Sequence, residues 1–357
     1  MPTVSVIIPS YNAEQFIGEC LRSVLDQTLR DIEVIVVDDG STDATLSVVE
    51  PFAQQDNRLT VIRQKNSYAG VARNNGMRHA SGTYLYFLDS DDFIDKTALE
   101  TMVSAAESCN ADVVVCKSRR YSMKDGSKEP IAYALRDYQL DTPLSQKDIA
   151  KTLFRSVVGW PWDKLFKKSF IDAHQLEYQP LRSTNDAFFV FMAMALAKTT
   201  ICIHNELVTH RVDNKASISN TRKKSWNNAL IAMDAIDERL HAEGIYDLFE
   251  RTYVNWCVNF VYWNINTLDD ESACGLIQAA RPKLQDIPLD DPNYYFLRRD
   301  YDFARYMNMS LDELVLTAAR QREECINAKR VYATRTYKLA KKLAKPARII
   351  KHRILKK

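Results

Sequence analysis

The sequence has 357 residues, 46% of them hydrophobic and 26% charged, a composition typical of a folded protein and not of a disordered one. Its charge is uneven: residues 329–357 hold 12 Lys or Arg and no Asp or Glu, which leaves 36 basic and 46 acidic residues over 1–328. An acidic body argues against nucleic acid as a partner, because phosphate contacts need positive charge on the folded surface.

The chain begins with strand-like residues and has no apolar run of the roughly 20 residues that would cross a bilayer. Its seven cysteines are scattered and form no metal-binding or disulfide pattern. These observations predict a cytoplasmic protein.

Apolar runs alternate with amphipathic stretches over the first hundred residues. The predicted strands cover 4–9, 32–38, 59–63 and 84–88, and the predicted helices cover 13–27, a segment ending at 52, and 69–80. Continuous apolar strands separated by helices predict an α/β fold with a mostly parallel sheet that is covered on both faces. Ligands of such sheets bind beyond the carboxyl ends of the strands.

The pattern changes further along the chain. We predict a strand at 112–117, a helical stretch at 147–154, a helix at 188–197, a strand at 201–208, and mostly helical structure from 226 to about 321. The predicted organisation is an α/β catalytic domain over 1–220, a helical appendage over 221–328, and a basic tail over 329–357.

Acidic residues follow two of the predicted strands. Asp38 and Asp39 end the second strand, and Asp89, Asp91 and Asp92 follow the fourth. Adjacent carboxylates repel one another unless a cation lies between them, and carboxylates with water suit Mg²⁺ or Mn²⁺. The alternative is that these residues only end strands and cap the following helices.

The order of four segments resembles a known family. They are VSVIIPSYNAE, IEVIVVDDGSTDAT, GVARNNGM and GTYLYFLDSDDF. In this order they are similar to the family 2 glycosyltransferases with the GT-A nucleotide-sugar-binding fold, of the bacterial surface-polysaccharide type. The resemblance is strong over 3–100, moderate to about 220, and not visible beyond.

This resemblance implies a donor site. Pro9, Tyr11 and Glu14 would flank the base of a nucleotide-sugar, and Asp39 would accept a hydrogen bond from the pyrimidine imide. The loop with Asn66, Gly70 and Arg73 would close over the ribose and phosphates, although a surface ion pair is an alternative for Arg73. The Asp89-Ser90-Asp91 run resembles the DXD motif, in which Asp91 binds the metal and Asp89 touches the ribose or the metal.

The resemblance also implies the acceptor side. Asp186 would be the catalytic base; relatives usually have Glu where this chain has Asn185, and the alternative for Asp186 is a carboxylate favoured by the helix dipole. Trp162, Asp163 and Lys164 would contact the acceptor sugar, or else form an aromatic core segment. His210 would be a third metal ligand or a neutral structural imidazole, and Arg211 could hold the diphosphate as a lid.

The tail has apolar residues at helical spacing, surrounded by lysines and arginines, with Pro346 interrupting it. Basic amphipathic helices bind anionic membranes, which predicts a peripheral location on the inner face of the cell membrane and a lipid-linked saccharide as acceptor. A solvated tail or an oligomer contact is the alternative.

The predicted function is therefore an inverting, metal-dependent transfer of a sugar from a UDP-sugar to an acceptor hydroxyl. A sugar-nucleotide nucleotidyltransferase would open with a Gly-rich phosphate loop, which PSYNAE is not. A non-catalytic nucleotide-sugar-binding protein is the remaining alternative, and the retained Asp39, Asp89, Asp91 and Asp186 argue against it.

Overall fold

The computed structural model describes residues 1–135, 137–213, 218–285 and 287–310, together with 313, 316, 317, 320 and 323. The predicted tail, 329–357, lies outside the described residues, so its membrane role stays a prediction. Within the described part of the chain, no helix combines the length and the apolar character needed to span a membrane.

One ten-stranded sheet organises the first 212 residues. The strands are β1 (Val4–Ser10), β2 (Ile32–Asp38), β3 (Leu59–Arg63), β4 (Tyr84–Phe87), β5 (Phe93–Ile94), β6 (Val113–Ser122), β7 (Lys128–Pro130), β8 (Pro143–Ser145), β9 (Lys164–Lys167) and β10 (Thr199–Val212). Their order is β3-β2-β1-β4-β9-β6-β10-β5, with β7 beside β6 and β8 beside β10.

Six strands run in one direction. The β3-β2-β1-β4 set is parallel, β9 enters antiparallel between β4 and β6, and β10 is parallel to β6. The mostly parallel α/β sheet predicted from the sequence is thus confirmed.

Helices cover the sheet and continue beyond it. They are α1 (Ile17–Leu25), α2 (Thr45–Gln55), α3 (Tyr68–His79), α4 (Ala98–Cys109), α5 (Gln146–Ala150), α6 (Leu153–Ser156), α7 (Lys168–Ala173), α8 (Ala187–Leu196), α9 (Asn228–Ala242), α10 (Tyr246–Ile265), α11 (Asp270–Ala280) and α12 (Arg298–Asn308). A 3₁₀ helix, Ile218–Ser225, joins the end of β10 to α9.

The two faces of the sheet have separate hydrophobic cores. Val4, Val6 and Ile8 of β1 face a cluster with α1 and α4, whereas Ile7 between them faces a cluster with α8. This alternation is what a strand buried on both sides dictates. The cluster on the α8 side continues without interruption into α9, α10, α11 and α12. The predicted boundary at 220/221 therefore divides one continuous core and stays a prediction.

Several predicted ends differ from the observed ones. The first helix was expected from residue 13 but begins at Ile17, because residues 12–14 hydrogen-bond the segment 41–45. The helical stretch at 147–154 is two short helices, α5 and α6. The strand expected at 201–208 extends over fourteen residues with a bulge, so that it reaches the acidic segment after β4.

Candidate active site

The loops that follow β1, β2 and β4 meet at one edge of the sheet. Ser10 lies opposite Asp38 in the parallel register, and the amide of Asp39 donates to the carbonyl of Ser10 over 2.8 Å. The amide of Leu88 donates to the carbonyl of Ile7 over 3.1 Å, which places the acidic segment after β4 beside the end of β1. The acidic residues predicted to converge therefore do so at the carboxyl edge.

The loop after β1 is attached to the loop after β2. The side chain of Asn12 accepts from the amide of Thr42 over 2.8 Å, and the Glu14 carboxylate accepts from the amide of Ala44 over 2.8 Å. Pro9 is buried within β1, whereas the ring of Tyr11 is 50% exposed. Of the three residues predicted to flank a base, Tyr11 offers an open surface and Glu14 holds the neighbouring loop.

Asp39 and Asp38 have different surroundings. Asp39 is buried, and its Oδ1 accepts from the side chain of Gln64 and the amide of Ser67, each over 2.8 Å. Asp38 Oδ1 and the Ser10 hydroxyl beside it are buried without a hydrogen-bond partner. Unused hydrogen-bonding capacity therefore lies at Asp38 and Ser10, which the sequence analysis did not single out for binding.

Arg73, on α3, connects two loops. Its Nη2 donates to Asp89 Oδ1 over 2.5 Å, and its Nη1 donates to Asn185 Oδ1 over 2.9 Å. Burial opposes the charge of Arg73, but the carboxylates of Asp89 and Asp186 outweigh it and raise the pKa of the guanidinium. The arginine predicted to reach the donor phosphates is thus a buried cation between the β4 loop and the loop that carries Asp186.

Asp186 directly precedes α8 and does not cap it: its side chain makes no capping hydrogen bond. Burial raises the pKa of this carboxyl to about 6, against the opposing effect of Arg73. Thr184, two residues earlier, has a φ of 60°, a left-handed conformation that is a genuine outlier for a β-branched residue. Strained backbone of this kind clusters at functional sites.

The segment after β4 contains a residue that sequence reasoning missed. Asp92 is fully buried, and its carboxylate lies 2.8 Å from His210 Nδ1 and accepts from the amide of Arg211 over 2.8 Å. Burial raises the pKa of Asp92, and the neighbouring carboxylates raise that of His210 although burial opposes its charge. A sequence feature that could have indicated this is the run of four polar residues after β4. The last of them, Asp92, directly precedes β5, where the chain re-enters the sheet.

Arg211 contacts the acidic segment and three aromatic rings. Its Nε donates to the carbonyl of Asp91 over 2.6 Å, and its guanidinium lies over the rings of Phe16, Phe93 and Tyr121. Arg211 is therefore buried and bonded to the acidic segment in this conformation, and its role as a lid over a diphosphate stays a prediction.

The carboxylates of Asp89 and Asp91 are the ligand type that Mg²⁺ and Mn²⁺ prefer. In the described ranges, however, no three His, Cys, Asp or Glu side chains are arranged to hold a metal ion. His210 faces Asp92, so the predicted set of Asp89, Asp91 and His210 is not preassembled. Asp89 and Asp91 therefore fit a cation such as Mg²⁺, which binds one or two carboxylates and takes its other ligands from phosphate and water.

The acceptor residues predicted at 162–164 are interior. The Trp162 ring is 2% exposed and stacks on Trp160 and His210, with ring centroids 4.7 and 5.2 Å apart. Lys164 is 0% exposed and donates to Asp163 Oδ1 over 2.5 Å and to the carbonyls of Val158 and Trp160. Trp162, Asp163 and Lys164 thus form the support under the half-buried Trp160 in this conformation, and the prediction that they contact a sugar stays a prediction.

Gly70 lies at a close packing contact. A β-carbon there would lie 2.3 Å from the carbonyl oxygen of Gln179 and 3.1 Å from Cβ of Asn185. Its missing side chain lets α3 pack on the loop before Asp186, and the predicted closure over the ribose and phosphates stays a prediction. Asn66 is exposed and Ser90 half-exposed at the same edge.

Three comparisons agree on the kind of protein that this chain resembles. The model of the family described as "Glycosyl transferase family 2" matches residues 5–161. EpsH of Bacillus subtilis (strain 168) is 35% identical over 234 residues, 64% of this chain and 66% of EpsH, so the match spans just under two thirds of that relative. "Glycosyltransferase GlyG" of Streptococcus pneumoniae serotype 4 is 38% identical over 238 residues, 64% of this chain and 77% of GlyG.

Among solved structures, S. aureus TarS in complex with UDP-GlcNAc has a TM-score of 0.68 and 22% identity, over 89% of this chain and 92% of that one. At this identity the likeness concerns the fold. It extends past the sheet into the helical segment, where the sequence showed no resemblance.

Proposed function

The chain belongs to glycosyltransferase family 2, and on that premise we propose that it transfers a sugar from a UDP-sugar to an acceptor hydroxyl with inversion at the anomeric carbon. The observation that carries this proposal is the Arg73 cluster. One buried guanidinium bonds Asp89 of the β4 loop and Asn185 beside Asp186, which joins a donor loop to a candidate base.

The donor nucleotide would lie over the ends of β1 and β2. Tyr11 offers a ring face to the base, and the carboxylate of Asp39, held by Gln64 and Ser67, would accept a hydrogen bond from the base. The diphosphate would lie over the segment 89–91. UDP is our choice of nucleotide because TarS, which shares the fold, was solved with UDP-GlcNAc.

Asp89 and Asp91 would hold a Mg²⁺ or Mn²⁺ ion together with the diphosphate. When bound, such an ion neutralises the charge that develops on the departing nucleoside diphosphate. Arg73 holds Asp89 in place for this role, and Arg211 holds the backbone of Asp91.

Asp186 would remove the proton from the acceptor hydroxyl as that oxygen attacks the anomeric carbon from the face opposite the leaving group. A general base works best when its pKa is near the operating pH. Burial raises the pKa of Asp186 to about 6. One in-line displacement inverts the anomeric carbon, and no enzyme-linked sugar forms. The acceptor would be a saccharide of a surface polysaccharide or glycolipid.

The test is nucleoside diphosphate release from a panel of UDP-sugars and GDP-mannose, with Mn²⁺, Mg²⁺ or EDTA. We expect metal-dependent release of UDP from at least one UDP-sugar, and product analysis by NMR should show the inverted anomer. If EDTA does not affect the release of UDP, the proposed role of the metal is wrong. If the product keeps the anomeric configuration of the donor, the proposed single displacement is wrong.

We also propose that the basic tail, 329–357, attaches the protein to the inner face of the cell membrane. The support is its composition of 12 basic and no acidic residues. Full-length protein should sediment with vesicles that contain phosphatidylglycerol, and a chain ending at 328 should not. Equal sedimentation of both would contradict this location.

A further inference from the structure

A cleft of about 540 Å³ lies between the 3₁₀ helix Ile218–Ser225 and α11, and none of the described residues that line it belongs to the candidate active site. Its size is within the range of small-molecule sites. The side chains on its walls belong to Lys223, Lys224, Trp226, Asp269, Glu271 and Ser272.

The indole of Trp226 is fixed in this cleft by a glycine. Gly275 lies inside α11, where glycine costs about 1 kcal/mol relative to alanine. A β-carbon at Gly275 would lie 3.0 Å from Cζ2 and 3.3 Å from Cε2 of Trp226. The missing side chain therefore lets the half-buried ring lie against the helix, which makes it a rigid aromatic surface.

The polar groups around the ring carry both signs of charge. Lys223 Nζ and Asp269 Oδ2 are 3.8 Å apart, and the Ser272 hydroxyl reaches the carbonyl of Lys223 only at 3.5 Å. Asp269 Oδ1 already accepts from the amide of Ser272 over 3.0 Å and caps α11, whereas the contacts of the Lys223 ammonium and the Ser272 hydroxyl are longer than ordinary hydrogen bonds.

One aromatic face with mixed donors and acceptors suits a pyranose ring. Its C–H face packs on the indole, and its hydroxyls both donate and accept. An acyl chain would find one apolar side chain among charged ones, and a phosphate would meet the carboxylates of Asp269 and Glu271.

The cleft is joined to the loop of the proposed base. The hydroxyls of Ser225 and Ser183 are 2.7 Å apart in the interior, and Asn228 donates to the carbonyl of Ser183 over 3.3 Å. Ser183 precedes Asp186 by three residues. We propose that this cleft binds a sugar unit of the acceptor, so that the enzyme recognises an oligosaccharide; this rests on the proposed function.

The test follows the five tryptophans of the full-length chain by ¹⁹F NMR after labelling with 5-fluorotryptophan. Trp226→Phe assigns the signal of interest. The probes are cellobiose, lactose, maltose and N,N′-diacetylchitobiose. We expect at least one of them to shift the Trp226 signal saturably in the absence of any donor.

Matched variants locate the binding. Gly275→Ala puts a methyl group 3.0 Å from the indole, so the ring must move by a few tenths of an ångström and the affinity should fall. Glu271→Ala, an exposed change that spares the fold, should weaken it as well. Leu248→Ala alters a residue that is 39% exposed on α10 and does not line the cleft, so it should leave the affinity unchanged.

Absence of a saturable Trp226 shift with all four probes would overturn the inference, and so would equal affinity in wild type and Glu271→Ala. If UDP is released but the Trp226 signal does not respond to any saccharide, the proposed saccharide site in the cleft is wrong and the proposed transferase activity stands. A Trp226 response without release from any donor would leave a saccharide site and defeat the transferase.

Discussion

Two buried ion pairs lie in segments that the sequence marked as ligand-binding, and they differ in what they leave open. In the Arg73–Asp89 pair the arginine side chain is 5% exposed but the aspartate is 32% exposed. In the Lys164–Asp163 pair the two side chains are 0% and 2% exposed. The first pair presents a carboxylate to the carboxyl edge of the sheet, whereas the second is enclosed.

The difference lies in how the hydrogen bonds of each cation are used. The ammonium of Lys164 has three donors, and Asp163 with two carbonyls of its own loop accepts them all. Arg73 instead bonds residues that are far apart along the chain and keeps an unpartnered Nε. A polar motif therefore supports a ligand site where it links separate loops, and supports the fold where its partners are local.

The largest effect should come from Asp186→Asn, which changes the open cluster and keeps its shape. Loss of a general base costs about 10²–10⁴ in rate. We expect transfer to fall by that factor while UDP binding, measured by calorimetry, stays near the wild-type value. Asp172→Asn changes an aspartate whose side chain is 58% exposed on α7, outside the cluster, and should leave transfer near the wild-type rate; equal losses would remove Asp186 as the base.

Removing one partner of the enclosed Lys164–Asp163 pair should lower the free energy of unfolding. Asp163→Ala leaves a buried ammonium without its counter-charge, which costs about 3–5 kcal/mol in the free energy of unfolding. Urea denaturation measures it. Lys168→Ala breaks the exposed Lys168–Asp172 pair as a control and should cost less than about 1 kcal/mol. Similar losses in both variants would show that burial does not distinguish the two pairs.

A pH profile sharpens the same contrast. Because burial raises the pKa of Asp186 to about 6, the base is ionised above that pH and is lost as the pH falls through it. The value of kcat/KM should therefore drop about tenfold per pH unit below about 6. A profile that stays flat down to pH 5 would contradict the assignment.

The same shift predicts a stability difference. A carboxyl whose folded-state pKa is raised favours the folded state most when protonated, so wild type should gain stability relative to Asp186→Asn as the pH falls from 6 to 4. At pH 7 the Asn variant should be the more stable protein. Thermal unfolding at both pH values checks this sign.

The smallest effect concerns the backbone beside the base. Thr184→Asn puts a residue that tolerates positive φ in place of a β-branched one and should raise stability by about 0.5–1 kcal/mol. Thr184→Val keeps the branching and should bring no gain. If both variants melt with the wild type, the strain at residue 184 is not significant.

Much of the fold followed from the sequence because its signals are local. The apolar runs of β1 to β4 and the helices between them fix a parallel sheet, and the acidic residues at the strand ends fix its functional edge. The Asp92–His210 pair was missed because 118 residues separate the partners, and only the register of β10 against its neighbours joins them.

The enclosed position of the predicted acceptor residues was not foreseen for a related physical reason. The sequence Trp162-Asp163-Lys164 does not determine whether the lysine side chain faces solvent or donates to carbonyls of its own loop. Gly70 was similarly ambiguous, since a missing side chain makes room for backbone as readily as for a phosphate. Whether a polar group is open or enclosed depends on tertiary packing, which a sequence pattern does not contain.

An uninterrupted hydrophobic cluster runs from β4 through α8 into α9 to α12, so the sheet and the helical segment share one core. A chain cut at residue 220 would leave the apolar surface of α8 facing water, and it should aggregate instead of yielding a minimal enzyme. Exchange of the C-terminal helices between relatives would for the same reason require the surface of α8 to be exchanged with them.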